Sequence, residues 1–347
     1  MQAIRSGWQV IDLVARRALA RVILGVTLVA LLGASAARGS TVETPEDPIR
    51  DLVSRTYDVV VDGRHAYLAV TAGVRVMDVS NPRRPREVGL LVLPDSVSSL
   101  ALAGPGLLLA AGGPAGLWIV DVSEPTSPSS IGTLDTPGAV LAVDVAGPHA
   151  FVADGSFGLR VVDLSDPEAP RAVGHLDTEH YTRDVLAAGA WGYLADDRGG
   201  LVVLDLSQPS APRVLSRLVL PGRAWNLATV GPLVYVAALD GGVSFVNVSD
   251  PKTPRRVGGV IVPDGARGVA VVDDMMYVAA GQAGLHVIGV SAPDEPVLET
   301  SLALPGAANR VVVHGRGLYL AGDHAGLAIF DIRHRSDPKP LTESQDD

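Results

Sequence analysis

Along most of this chain, apolar residues come in short bursts that alternate with polar ones at a spacing of two. In the first copy the bursts begin at Asp58-Val-Val-Val, Ala66-Tyr-Leu-Ala-Val, Val74-Arg-Val-Met-Asp-Val and Val88-Gly-Leu-Leu-Val-Leu. A period of two sends successive side chains to opposite faces of an extended backbone, so each burst predicts a β-strand and none has the 3.6-residue period of a helix. Between the bursts stand Gly, Asp-Gly, Gly-Pro and Ser-x-Pro-x-x-Pro. These residues supply positive φ or fix φ near about −65°, which predicts a meander of four antiparallel strands joined by tight turns.

The four bursts recur. Gly73, Gly116, Gly158, Gly200, Gly242, Gly284 and Gly326 form one column, with a step of 43 once and 42 thereafter. Five residues on, Asp78, Asp121, Asp163, Asp205, Asn247, Gly289 and Asp331 form a second. Pro82, Pro125, Pro167, Pro209, Pro251 and Pro293 form a third, which Arg335 interrupts in the last copy, and Pro85, Pro128, Pro170, Pro212, Pro254, Pro296 and Pro338 form a fourth. A four-stranded unit of 42 residues fits the blade of a β-propeller and is too long for a β-solenoid rung. The expected fold is therefore all-β: a seven-bladed β-propeller of four-stranded antiparallel blades over residues 48–340, with a polar tail at 341–347.

Each column has an expected job. Asp163 and Ser165 should bond local amides as the chain leaves a third strand, and Pro167 and Pro170 should stiffen the crossing to an outermost strand, where a missing N–H does no harm. Tyr67, Leu109, Phe151, Tyr193, Tyr235, Tyr277 and Tyr319 put a large side chain on almost every second strand, as expected for the filling between neighbouring blades rather than for a ring that stacks a ligand. The seventh copy ends in Lys339-Pro-Leu-Thr-Glu-Ser-Gln-Asp-Asp, too polar for an outer strand. Blade seven is therefore expected to lack its fourth strand, and residues 49–53 to close the ring by supplying it as an N-terminal strand.

The phrases Gly158-Leu-Arg-Val-Val-Asp-Leu-Ser-Asp-Pro and Gly116-Leu-Trp-Ile-Val-Asp-Val-Ser-Glu-Pro, each preceded by a Tyr-x-Ala type strand, resemble the LVIVD-repeat proteins, and the likeness covers residues 57–338. The resemblance implies an exported or surface-associated β-propeller of bacteria and archaea, generally without an assigned catalytic activity, and offers no active site to carry over. Asn247 and Gly289 depart from the Asp of that pattern, and Gly289 suggests a looser blade six.

At the N-terminus, Arg5, Arg16, Arg17 and Arg21 precede an apolar run over residues 22–32, followed by Ala34-Ser35-Ala36. This reads as a secretory signal peptide over 1–36, with 37–47 as linker, because the run falls short of the roughly 20 residues a membrane span needs. A retained anchor and a twin-arginine route are the alternatives. The reading places the mature protein outside the cytoplasm, whether periplasmic, secreted or at the cell surface, with no integral membrane span once the signal is removed.

Losing residues 1–36 removes four of the 28 basic and one of the 38 acidic residues, so the formal net charge goes from −10 to −13. With no basic cluster longer than Arg83-Arg84 or Arg255-Arg256, that field argues against nucleic acid. The absence of Cys excludes disulfides and thiolate chemistry.

No nucleophile elbow, phosphate loop, zinc-helix or dinucleotide motif is present. His175-Leu-Asp177-Thr-Glu179-His180 comes nearest to metal-ligand spacing, and Asp154, Asp196, Asp197, Asp240 and Asp323 are acidic turn residues outside any spaced calcium loop. Catalytic residues, metals and cofactors are accordingly expected to be none.

The repetition fails most informatively two residues ahead of the common apolar position of the first strand, where Leu141, Arg183, Trp225, Arg267 and Asn309 stand. In a propeller this column rims one mouth of the central channel. With the adjoining Asn226 and Arg310, the residues Arg183, Trp225, Arg267 and Asn309 form a candidate binding set suited to an anionic or sugar-like ligand, through Arg forks and stacking on Trp. The plain alternative is a solvated rim of paired charges. The expected function is a monomeric, non-enzymatic scaffold that binds a protein partner or surface glycan through one face. Two alternatives stand beside it: a propeller hydrolase or lyase using His180, Arg183, Asp184 or Arg267 at the channel mouth, and a structural module of an envelope assembly.

Overall fold

A computed structural model describes residues 55–323 and 326–341. All of them belong to the compact unit Asp47–Asp347. The expected signal peptide, the linker and the proposed closing segment 49–53 lie outside the described residues. The chain forms seven four-stranded antiparallel sheets, each in the order of its sequence, and the described residues contain no helix, hence none long and apolar enough to cross a membrane.

Blade one runs Thr56–Asp62, His65–Val70, Gly73–Asp78 and Arg86–Val92. The first strands of blades two to seven are Ser99–Leu102, Ala142–Ala146, Asp184–Ala188, Asn226–Val230, Gly268–Val272 and Ala308–His314. Each first strand lies against the next, and Ala308–His314 lies against Thr56–Asp62, so the seventh blade meets the first and the ring closes.

The alternation read from the sequence explains where the core sits. Each blade has two apolar faces, and the buried residues fall into seven clusters, every one bridging two adjacent blades. Tyr67, Leu109, Phe151, Tyr193, Tyr235, Tyr277 and Tyr319 are all buried, one in each cluster, which is the interface-filling role expected of that column. In the last cluster Val59, Val61 and Leu68 of blade one pack on Tyr319, Ala321 and Ile329 of blade seven.

The Asp column caps the turn that leaves the third strand: Asp78, Asp121, Asp163, Asp205, Asn247 and Asp331 each accept the N–H two residues on, at 2.9 Å. Gly289 has no such acceptor, yet it keeps its place in the ladder opposite Met275 and Val297, so blade six is not opened there.

The proline turns also act between blades. A β-carbon on Gly89, Gly132, Gly174 or Gly258 of an outer strand would stand 2.3, 2.3, 2.2 or 1.7 Å from the carbonyl oxygen of Pro125, Pro167, Pro209 or Pro293 in the next blade. In blade four the equivalent Ser216 instead donates its hydroxyl to the Pro251 carbonyl at 2.6 Å. A register shift between the third and outer strands precedes these positions, for example between Val161 and Val162 opposite Gly174, and lets the outer strand bend onto its neighbour.

Blade seven corrects one expectation. Lys339–Pro340 does pair with Asp331 and Phe330, and Leu341 donates its N–H to Ile329 at 2.8 Å while its side chain packs on the last core cluster. Two residues joined through the backbone need no apolar pattern, and the apolar Leu341 stands just beyond them. The outer edge of residues 326–328 carries no strand among the described residues.

Candidate functional site

In each blade the turns between second and third strands and the connections from outer strand to next blade share one face of the disc; the remaining turns share the other. The candidate residues all belong to the first face and divide into two tiers.

The inner tier follows from the geometry of the first strands. Each is paired on one edge only, and the N–H groups of the other edge face the central channel and need acceptors. Side chains of the preceding blade provide them. Asp58 accepts from Leu100 N at 2.9 Å, Asp144 from Ala187 N at 2.7 Å, Asp184 from Leu227 N at 2.9 Å and Asn226 from Val269 N at 3.0 Å. Asn226 also donates to Asp184 at 2.6 Å. Arg310 of blade seven reaches both its neighbour and the far side, with Nε 3.3 Å from Asp58 and Nη1 3.7 Å from Asp184.

Burial pushes the carboxyl pKa of Asp58 up, against the pull of Arg310 and two backbone amides. Burial raises Asp144 likewise, with Asp184 adding to the rise. Burial also opposes the charge on Arg310, but Asp58, Asp184 and Asp144 together outweigh it and hold the guanidinium above its usual value. Asn226 and Arg310 are thus tied into links between blades.

The outer tier carries Arg183, Trp225, Arg267 and Asn309. The Arg183 guanidinium lies 4.5 Å from the ring centroids of both Tyr181 and Trp225, a cation held by two aromatic rings. Its Nη2 meets Asp197 at 3.2 Å, and the same carboxylate takes Nε and Nη2 of Arg223 at 2.8 and 2.9 Å. The Arg223 hydrogen bond, followed by that from Arg183, holds Asp197 below the usual carboxylate range. Two blades away, Arg267 donates to Asn309 at 3.1 Å, and Asn309 donates to Asp323 and to the Thr56 carbonyl, both at 3.0 Å, joining blades six, seven and one.

Asp197 sits at φ 45° and Leu239 at φ 38°, in the turn position held by Gly113, Gly155 and Gly281 in blades two, three and six at φ 56°, 56° and 53°. A left-handed backbone costs a non-glycine residue on the order of 1 kcal/mol, so blades four and five keep side chains there against a local penalty. Around them, Val219 is 76% exposed and Ile261 70% exposed at the start of the connections into blades five and six.

Tyr181, Asp197, Arg223 and Leu239 were not singled out as binding residues from the sequence. The legible signal was the broken glycine column at 197 and 239. Of the other acidic turn residues, Asp154 is occupied by Thr136, Gly138 N and Arg160, and Asp196 accepts from Thr182. Among the described residues no group of three or more His, Asp or Glu gathers as metal ligands, and residues 175–180 form none. Two shallow hollows, lined by Gly315, Arg316, Ile332, Arg333 and Arg335 and by Asp78, Ser80, Asn81, Arg84 and Arg86, belong to the turns of the opposite face.

A closed ring of seven four-stranded blades, with its channel bridged by its own side chains, defines a β-propeller scaffold. Its repeats match the family model described as the LVIVD repeat at residues 55–91, 110–136, 137–178, 180–218, 221–261, 264–303 and 305–345, and the chain belongs to that family. No curated protein matches it. Among solved structures it is similar to Sqt1 of Saccharomyces cerevisiae, at 9% identity and a TM-score of 0.63 over 84% of this chain and 86% of that one. It is also similar to the WD40 β-propeller domain of Doa1, at 13% identity and a TM-score of 0.65 over 82% and 94%. The β-propeller domain of Cps50 (Swd1) from Myceliophteria thermophila matches at 14% and 0.64 over 80% and 95%. At these identities the likeness is one of fold.

Proposed function

We propose that this protein is an exported binding module that captures a protein partner or a surface glycan through the face carrying the connections into each next blade, and that it does so without catalysis. The observation that carries this reading is the Tyr181–Arg183–Trp225 stack, braced by Asp197 and Arg223 on the face that also exposes Val219 and Ile261. Aromatic and Arg side chains held rigid beside aliphatic ones make the composition of an interface centre. Export rests on the basic, then apolar, then Ala-Ser-Ala pattern of residues 1–36.

Asp58 and Asp144, with raised pKa values inside the channel, are the observation that favours a hydrolase or lyase. Each already accepts two backbone N–H groups, so their burial is explained by joining blades, and the binding reading is preferred.

The test is a pull-down from envelope extract with wild type and a Trp225→Ala/Arg267→Ala variant of unchanged melting temperature. Capture by wild type and its loss in the variant support the reading; identical profiles remove these residues from the site.

A further inference from the structure

The surface over blades four and five is continuous. The turn of Asp197 bridges to Ala224, Gly222 of that connection packs against Gly241 of the next turn, and Leu239 in that turn bridges to Ala266. The backbone therefore places Asp197, Arg223, Trp225 and Leu239 along one arc, and Val219 and Ile261 border it, packed against Gly200 and Gly242 at the ends of the same two turns.

Two guanidinium groups share one carboxylate at the start of this arc. Asp197 neutralises one charge and leaves one. Arg223 spends Nε and Nη2 on Asp197, and its side chain remains 40% exposed. Arg183 is clamped between two rings, so little conformational freedom is lost when it meets a ligand. Asp240 adds to the rise in the Arg223 pKa and sets a limit on how much anionic charge the arc attracts.

The rest of the arc is aliphatic. Val219 and Ile261 are among the most exposed large apolar residues described, and Leu239 is kept in a turn position that favours Gly. Saccharide hydroxyls would find few partners on Val, Leu and Ile, and one face of the Trp225 ring already meets Arg183.

We propose that this arc binds an extended segment of a partner protein that carries acidic and then aliphatic residues at every second position, a carboxylate meeting Arg183 and Arg223 and the aliphatic side chains lying on Val219, Leu239 and Ile261. The proposal rests on the binding reading above and names its partner chemistry. In a strand-like segment residues two apart share a face, so acidic and aliphatic residues at that spacing meet the arc together, while the residues between them face away from it.

The probe is a labelled 12-residue peptide in which every second residue is apolar or acidic on one face, Glu in the first half and Leu or Val in the second, with Ser and Thr between them, compared by fluorescence anisotropy with its Gln counterpart and with an oligouronate. The Glu peptide should bind at least about tenfold tighter than the Gln peptide, equivalent to about 1.4 kcal/mol, and its affinity should fall as salt rises. Arg223→Gln and the exposed-site variant Val219→Ser/Ile261→Ser, each checked for an unchanged melting temperature, should each weaken binding at least fivefold. Equal binding of the Glu and Gln peptides, binding of the oligouronate alone, or wild-type affinity in both variants overturns the proposal. A partner captured through Trp225 and Arg267 in the pull-down, with no binding of the Glu peptide, overturns this inference and leaves the broader one standing; failure of both overturns both.

Discussion

Arg310→Ala isolates the role of the channel network. Removing the guanidinium leaves Asp58, Asp144 and Asp184 around the channel without their shared cation, although each keeps a backbone N–H from the neighbouring blade. Removing one partner of a buried pair costs about 3–5 kcal/mol; the Arg310 side chain keeps 28% exposure, so we expect about 2–4 kcal/mol. For a domain of this size each kcal/mol moves the melting temperature by about 2–4 °C, giving a drop of roughly 4–16 °C by calorimetry at pH 7. The deficit should shrink at lower pH. Asp58 and Asp144 already have raised pKa values, and loss of the cation raises them further, so protonation of the folded state relieves the repulsion. Arg310→Met combined with Asp58→Asn and Asp184→Asn should recover most of the loss. An unchanged melting temperature in Arg310→Ala, together with lost partner capture, would refute the structural account and make Arg310 a ligand-binding residue.

Gly174→Ala forces a β-carbon against the Pro209 carbonyl and should cost about 1–3 kcal/mol in chemical denaturation. Gly189→Ala, at φ 66° in open space, should cost less, and the reverse order would disprove the packing argument for the proline turns. The turn carboxylates of Asp78, Asp121, Asp163, Asp205 and Asp331 lie below the usual value through hydrogen bonds to residues two positions on. Their contribution is complete above the unfolded value and is lost as pH falls through about 4 and below, so melting temperature should drop there; Asp163→Asn/Asp205→Asn, imitating Asn247, should flatten that drop. Deleting residues 45–54 should lower the melting temperature by more than about 5 °C if they complete the edge of blade seven, whereas an unchanged transition leaves closure to the apolar packing of blades seven and one.

The blade count, the strand order and the inter-blade role of the Tyr67 column were legible because each is written seven times. A side chain that recurs at one position of a repeat has one environment, and its job can be read from its chemistry. What repetition cannot specify is where a single copy departs. The column of Arg183, Trp225, Arg267 and Asn309 was found as a departure, but whether Asn226 and Arg310 face a ligand or the neighbouring blades depends on hydrogen-bond partners 42 or more residues away, and in Arg310 on a carboxylate across the channel. The stub at Lys339–Pro340 was missed because backbone pairing of two residues leaves no apolar pattern. Asp197 and Leu239 left a trace only as absences from a glycine column, and their meaning required the φ angles.

The most direct test of the central claim, that recognition takes place over blades four and five on one face of the disc, is a hydrogen-exchange footprint of the protein with its captured partner. The account predicts slower exchange in residues 177–183, 196–200, 219–225 and 238–242, with the turns of the opposite face unchanged. Protection confined to the opposite face, or to the outer strands, would contradict it.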